Sequence, residues 1–151
     1  MRKKKIDSAS LEKCLDCACL SFRQASRMVT QLFDQALVSV GLLSTQLPVL
    51  VLVALYGPLT ISRLAELLIM DRTTLTRILK PLHAKKYIKT VSTTDKRKSM
   101  LEITPQGCKM LVDAYPLWQK AQKQIIEGLK PKKWKMVRQQ LGEVIEIASR
   151  R

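Results

Sequence analysis

Three of the four cysteines in this chain lie close together, as Cys14, Cys17 and Cys19. A C-x-x-C-x-C spacing can hold a metal ion or support thiol oxidation. If one helix covers this segment, at about 100° per residue, Cys17 and Cys19 point in nearly opposite directions and cannot share an ion. We therefore expect no metal site and no cofactor. Two interpretations stay open: small side chains in a helix interface, or redox-sensing thiols at Cys14 and Cys19.

The single histidine, His83, has no acidic or cysteine partner at a spacing typical of an active site. A nucleophilic cysteine needs a base within hydrogen-bonding distance. Because the sequence suggests no such base, we expect no catalytic residues. A thiol-dependent enzyme is kept as an alternative function.

Two groups of residues have the chemistry needed to bind DNA. Arginine can bind guanine through two nitrogens, and threonine offers a hydroxyl and a methyl group to base edges. Arginine is also attracted into narrow minor grooves. The first group is Arg72, Thr73, Thr74, Thr76, Arg77 and Lys80, and the second is Lys96, Arg97 and Lys98.

The charge of the chain also favours an anionic partner. The 151 residues include 27 Lys and Arg against 12 Asp and Glu, a formal net charge of +15. Such an excess destabilises a compact protein by self-repulsion unless an anion offsets it. Residues 60–100 carry 10 of the basic residues and only 3 of the acidic ones. We predict double-stranded DNA as the partner, with an architectural binder that works by charge alone as a further alternative.

No segment resembles a membrane span or a secretory signal. The most apolar stretch, Leu47 to Leu55, is far shorter than the roughly 20 residues that cross a bilayer. The basic N-terminus is followed by Asp7 and Glu12 rather than by an apolar core. We expect a cytoplasmic protein with reduced cysteines and no membrane partner.

The elements that position these residues are mostly helical. A long first helix is predicted from about Ser10 to Val40, and Gly41 suits its end. Its apolar and small residues recur at steps of three and four, which indicates one continuous face that needs a partner helix. They are Leu11, Leu15, Ala18, Phe22, Ala25, Val29, Leu32 and Ala36.

The next three helices are predicted to be short. Thr45 suits the N-cap of a helix that ends at Tyr56 and is buried on all sides. Thr60 caps a helix from Ile61 to Leu68, and Asp71 caps another from Arg72 to about His83. Two short helices joined by a three-residue turn form a helix-turn-helix.

A hairpin and two longer helices complete the chain. Strands are predicted over Tyr87–Thr93 and Lys98–Thr104, with a basic tip between them. A helix starts after Thr104 and reaches Leu129 with a bend near Pro116, and Pro131 opens a last amphipathic helix. The predicted fold class is mainly α, a winged helix-turn-helix with a small β-hairpin wing plus long terminal helices.

In this order and spacing the chain resembles the MarR family of multiple-antibiotic-resistance-type regulators. The similar segments are ASRMVTQLFDQAL (25–37), LTISRLAELLIMDRTTLTRILKPLHAKKYI (59–88), DKRK (95–98) and LEITPQGCKML (101–111). The resemblance implies dimerisation through the terminal helices and places the wing motif D-x-R on Asp95 and Arg97, with Asp95 supporting the wing. Cys19 is placed like the reactive cysteine of the family's organic-hydroperoxide branch, but Arg23 replaces the tyrosine expected one turn later.

The resemblance fixes the predicted organisation and function. Residues 1–40 form an N-terminal dimerisation helix, 41–104 the DNA-binding lobe, and 105–151 the C-terminal dimerisation helices. We predict a repressor that binds a palindromic operator as a homodimer and is released by a small-molecule effector or by thiol oxidation. One residue departs from the family: Lys86 stands where glycine is usual after the recognition helix. Either Lys86 takes a left-handed conformation, at a cost of order 1 kcal/mol, or the turn differs and the hairpin starts elsewhere.

Overall fold

The computed structural model describes residues 6–92 and 99–150. Seven α-helices, one 3₁₀ turn and three strands follow one another along these residues. They are α1 (Ser8–Lys13), α2 (Ala18–Leu37), the 3₁₀ turn Val38–Val40, α3 (Leu47–Tyr56), β1 (Leu59–Thr60), α4 (Ile61–Leu68), α5 (Arg72–Ala84), β2 (Ile88–Ser92), β3 (Ser99–Ile103), α6 (Pro105–Leu129) and α7 (Pro131–Ser149). The predicted winged helix-turn-helix with long terminal helices is confirmed.

The predicted continuous first helix is wrong, because the chain leaves the helix between α1 and α2. At Cys14 and Leu15 the backbone N–H groups bond the carbonyls three residues back, at 3.0 and 2.9 Å, so the four-residue helical repeat stops. Cys17 is extended (φ −91°, ψ 120°) and precedes α2. Since Cys17 and Cys19 do not share a helix, the angular argument made from the sequence against a metal site does not apply.

The second helix also differs from its prediction. Thr45 does not cap α3; Gln46 precedes it, and the Gln46 side-chain oxygen accepts a 3.1 Å hydrogen bond from the backbone N–H of Leu43. This side chain stabilises a turn that delays the helix to Leu47. Nor is α3 buried on all sides, because Leu55 is 67% exposed.

The three-stranded sheet packs against α3 and against both helices of the helix-turn-helix, α4 and α5. Strand β3 lies between β1 and β2 and is antiparallel to both, with Leu59 opposite Leu101 and Ile88 opposite Ile103. Sequence patterns missed β1 because two residues are too short for a periodic signal. Lys89 on β2 and Glu102 on β3 form a 2.9 Å ion pair across the hairpin.

One hydrophobic core lies beneath the helix-turn-helix. It joins the end of α2 to α3, α4, α5 and β3, so α5 rests on a close-packed base. Its most deeply buried side chains are Leu37, Leu42, Leu50, Leu64, Leu75, Leu82 and Leu101, with Val49 and Val53. Within the described ranges, no helix has the combined length and apolar character that a bilayer crossing requires.

Candidate nucleic-acid interface

The recognition helix α5 begins at a complete N-cap. One Asp71 carboxylate oxygen accepts the backbone N–H of Thr74 at 2.8 Å, and the other accepts the Thr74 hydroxyl at 2.6 Å. The hydroxyl bond, and then the backbone bond, lower the pKa of Asp71 from its ordinary value of 3.8. Asp71 is therefore ionised at neutral pH, where it fixes the start of α5.

The predicted DNA-contacting residues of α5 fall on one side of the helix. Arg72, Thr73, Thr76, Arg77 and Lys80 are all exposed, and at 100° per residue they lie within an arc of about 140°. Leu75, Leu79 and Leu82 face the core on the opposite side. Among the described residues, no carboxylate pairs with the three cations of this arc, which we call the basic face of α5.

Two of the threonines have hydroxyls bonded within their own helix. The Thr76 hydroxyl donates to the carbonyl oxygen of Arg72 at 2.7 Å, which leaves its methyl group for a partner. Thr74 is half-buried and its hydroxyl bonds the cap. Thr74 therefore positions the helix and lies beside the basic face rather than on it.

Both helices of the helix-turn-helix end in a left-handed residue. After α5, the Lys86 N–H donates to His83 and the Tyr87 N–H donates to Leu82, both at 2.9 Å, with Lys86 at φ 57°. This six-to-one and five-to-two pattern is the Schellman motif, in which the left-handed position favours glycine. Of the two possibilities that the sequence left open, Lys86 adopts the left-handed conformation. After α4, Ile69 takes the same role at φ 52°.

Three contacts hold the recognition helix and the wing in place. The Lys85 ammonium donates to the Gly41 carbonyl at 2.6 Å, tying the end of α5 to the turn before α3. The Thr104 hydroxyl donates to the Lys86 carbonyl at 2.6 Å and accepts the Gly107 N–H at 3.0 Å. A Cβ atom on Gly107 would overlap the Tyr87 carbonyl oxygen, so this close approach of α6 to the wing requires glycine. The sequence indicated that Thr104 starts α6. No sequence pattern identified the bonds to Gly41 and Lys86 or the approach of Gly107 to Tyr87, because each of these joins distant segments.

The predicted wing tip, residues 95–98, lies outside the described residues. At the ends that the structure describes, the strands agree with their predictions to within one residue: β2 begins at Ile88 and β3 ends at Ile103. The contacts predicted for Lys96, Arg97 and Lys98, and the supporting role of Asp95, stay predictions.

A cavity of about 720 Å³ lies between α2, α3 and α6. Phe33, Tyr115 and Trp118 contribute aromatic walls, and Thr30, Ser44 and Thr45 contribute hydroxyl groups. This volume is within the range that small-molecule sites occupy. The sequence did not reveal the cavity, because its walls come from three separate helices.

The cysteines are all free and exposed in the protomer. Cys14 ends α1, Cys17 precedes α2, and Cys19 lies in the first turn of α2. In the part of the chain that the structure describes, no three His, Cys, Asp or Glu side chains are arranged to hold a metal ion. His83 is half-buried near the end of α5.

Comparisons with known proteins agree with this architecture. Residues 40–98 match the sequence model described as the MarR family. The uncharacterised HTH-type transcriptional regulator YwaE of Bacillus subtilis is 26% identical over 125 residues, which cover 82% of this chain and 72% of YwaE.

Solved structures extend the similarity to most of the chain. The transcriptional regulator MosR of M. tuberculosis, in complex with DNA, is 31% identical, with a TM-score of 0.76 over 88% of this chain and 98% of MosR. BpsR of Bordetella bronchiseptica, whose DNA binding is regulated by 6-hydroxynicotinic acid, is 20% identical. Its TM-score is 0.77 over 84% of this chain and 91% of BpsR, a likeness of fold.

Proposed function

Since this chain belongs to the MarR family of DNA-binding transcription regulators, we propose that it represses transcription as a homodimer bound to a palindromic operator. Members of this family regulate transcription and are not enzymes, so a thiol-dependent enzyme is set aside. The observation that carries the proposal is the basic face of α5, which is exposed and lies opposite a buried leucine row.

The dimensions of this face suit a major groove. Arg72 and Lys80 are eight residues apart, about 12 Å along the helix, and the major groove of B-DNA is about 12 Å wide. Arg72 and Thr73 lie at the helix N-terminus, where backbone N–H groups and the helix dipole favour phosphate. We assign base contacts to Arg77 and Thr76, and phosphate contacts to Arg72, Thr73 and Lys80.

The wing is proposed to contact the adjacent minor groove. Arg97 would enter it, with Lys96 and Lys98 on the flanking phosphates. Asp95 would orient the arginine. This assignment depends on the sequence motif alone.

Uncovered apolar faces support dimerisation through residues 1–40 and 105–151, with 41–104 as the DNA-binding lobe. No residue of α1 or α7 is buried in the protomer. Leu11, Leu15 and Phe22 are 50%, 71% and 42% exposed, and Ile145 on α7 is 47% exposed. Apolar helix faces of this length need a covering partner, and we propose that a second copy of the chain supplies it.

We propose that a small molecule in the cavity between α2, α3 and α6 releases the operator. Helix α3 forms one wall of the cavity with Val51 and Leu55, while its Leu50 and Val53 belong to the core beneath the helix-turn-helix. A ligand there touches a helix that shares its hydrophobic core with the recognition helix. That BpsR is regulated by 6-hydroxynicotinic acid makes a small-molecule effector a reasonable analogy.

Oxidation of Cys19, with Cys14 as a second thiol, is a second route of release. Both thiols are exposed and therefore accessible to an oxidant, and Arg23 lies one turn beyond Cys19 on α2.

Selection of bound sequences from random duplex DNA tests the proposed function. We expect a palindrome whose half-sites are about 10 bp apart, or a small multiple of that spacing. Sedimentation at micromolar concentration should show a dimer, free and on the selected site. Equal affinity for the selected site and for random duplex would refute an operator-binding repressor and leave an architectural binder. A stable monomer that binds the selected site tightly would refute dimerisation.

A further inference from the structure

The cavity between α2, α3 and α6 has walls that discriminate by charge. Among the described residues, no Asp, Glu, Lys, Arg or His side chain lines it. Its polar groups are the hydroxyls of Thr30, Ser44 and Thr45 and the phenol of Tyr115. An anion moved from water into such a site loses hydration that no cation replaces, which is costly.

A carboxylate next to the cavity adds to the exclusion of anions. Asp34 is half-buried on α2, and its carboxylate accepts the backbone N–H of Ser44 at 2.7 Å. Ser44 itself lines the cavity. A carboxylate bound beside Ser44 would therefore meet a like charge at short range, where partial burial weakens solvent screening.

Aromatic side chains on one helix define the shape of the far wall. Tyr115 and Trp118 on α6 are stacked, with ring centroids 5.9 Å apart and planes inclined by 28°. Phe33 on α2 lines the same cavity. Flat aromatic walls favour a flat aromatic ligand through stacked or edge-to-face contacts.

We propose that this cavity binds a neutral aromatic molecule that hydrogen-bonds to hydroxyl groups, and that it excludes aromatic carboxylates and sulfonates. This inference rests on the proposed effector role of the cavity. The cavity is expected to prefer a neutral ligand even though the protein has a net charge of +15. The charged side chains lie on the surface and not on the cavity walls.

The test compares two dyes that differ by one sulfonate group. N-phenyl-1-naphthylamine is neutral, and 8-anilino-1-naphthalenesulfonate is its anionic counterpart. Each dye is titrated into the full-length protein and its binding is followed by fluorescence. The variant Ala54→Phe is designed to fill the cavity from α3, so the binding that this variant loses is counted as binding in the cavity. We expect the neutral dye to bind in the cavity at least about tenfold more tightly than the anion. Equal or tighter cavity binding of the anion, or no cavity binding of either dye, would overturn the proposal.

A second variant tests the electrostatic cause. Leu55 lines the cavity and is 67% exposed, so Leu55→Arg introduces a cation without burying it fully. We expect this change to raise the affinity of the cavity for the anionic dye. Val38→Arg, at a position 72% exposed and outside the cavity lining, is the matched control and should leave it unchanged. If both variants bind the anion equally, general surface charge governs binding and the proposal fails.

Operator binding is measured separately, so the two proposals can fail independently. Fluorescence anisotropy of a labelled operator follows DNA affinity with and without the neutral dye. If the neutral dye binds the cavity selectively but leaves operator affinity unchanged, the charge selectivity stands and the effector role is lost. If dye selectivity is absent while the protein still binds its operator, only the inference about the ligand is wrong.

Discussion

The hydroxyl group of Thr104 donates a 2.6 Å hydrogen bond to the carbonyl oxygen of Lys86. The residue that caps α6 therefore also fixes the turn that ends the recognition helix. Through this single side chain, α6 and the winged domain share one junction.

Loss of this hydroxyl should destabilise the protein. Thr104→Val removes the N-cap bond to Gly107 and the bond to Lys86, and we expect unfolding free energy to fall by about 1–2 kcal/mol. Urea denaturation measures the change, and Thr104→Ser should retain most of the stability. Thr60→Val is the matched control, because the Thr60 hydroxyl caps α4 through Arg63 alone. If the two valine variants lose the same amount, the bond to Lys86 contributes nothing.

Glycine at the two left-handed positions should stabilise the helix-turn-helix. The left-handed conformation costs about 1–2 kcal/mol for a residue other than glycine. Glycine removes this cost, but it also stabilises the unfolded state by about 0.4–1 kcal/mol because it gives the unfolded chain more conformational freedom. We therefore expect Lys86→Gly and Ile69→Gly each to raise stability by about 1 kcal/mol or less. Thermal denaturation reports the gain. Lys86→Ala keeps the Cβ atom and should give none; a gain as large as that of glycine would show that strain is not the cause.

Acid should weaken the start of the recognition helix. The pKa of Asp71 is below 3.8 in the folded protein because the ionised carboxylate accepts hydrogen bonds from Thr74. Its stabilising contribution is therefore present above the unfolded value and is lost as pH falls through the lower folded pKa. Asp71→Asn keeps a capping side chain that does not titrate. Between about pH 5 and about pH 2 we expect the wild type to lose more stability than this variant. Parallel pH profiles for the two proteins would contradict the role of this carboxylate.

Arg77 should determine base preference. Arg77→Ala is expected to cost about 1–3 kcal/mol on the selected operator and to relax preference at one base position. Arg77→Lys keeps the charge but loses the two-nitrogen geometry. Compared with Arg77→Ala, it should therefore bind DNA more tightly through phosphate attraction but show no stronger preference for one base. Arg138→Ala, an exposed arginine on α7, serves as the control in the same binding assay. A uniform loss across all sequences for Arg77→Ala would make it a phosphate contact instead.

Cys19 should couple oxidation to DNA release. In the proposed reaction, an organic hydroperoxide would oxidise the thiol of Cys19 to a sulfenic acid and would itself be reduced to an alcohol. We expect treatment to lower operator affinity by about tenfold or more in the wild type, and not in Cys19→Ser. Cys108→Ser, which removes an exposed thiol on α6, should respond like the wild type in a gel-shift titration. If peroxide causes both the wild type and Cys19→Ser to release DNA, or causes neither to do so, Cys19 is excluded as the sensor.

Elements with marked ends were predictable from the sequence. Thr60, Asp71 and Thr104 cap their helices as expected, and Pro105 and Pro131 open theirs. Caps and prolines act within one turn of the chain, so their effect can be inferred without knowledge of tertiary structure.

Features that depend on distant residues were not predictable. The break between Lys13 and Ala18 carries no proline or glycine, and the apolar repeat continues through it. Strand β1 exists only because β3 pairs with it. The basic face of α5 followed from helix periodicity, whereas the bonding of the Thr74 hydroxyl to Asp71 and the cavity beside α3 required the folded arrangement.

The 25 residues of α6 make it a lever about 37 Å long. Its first turn adjoins Thr104 and the winged domain, while its other end meets α7. A tilt of about 5° around that far end moves the first turn by about 3 Å, close to the roughly 3.4 Å rise between base pairs. A tilt of α6 by a few degrees is thus large enough to shift a recognition helix by one step along the DNA.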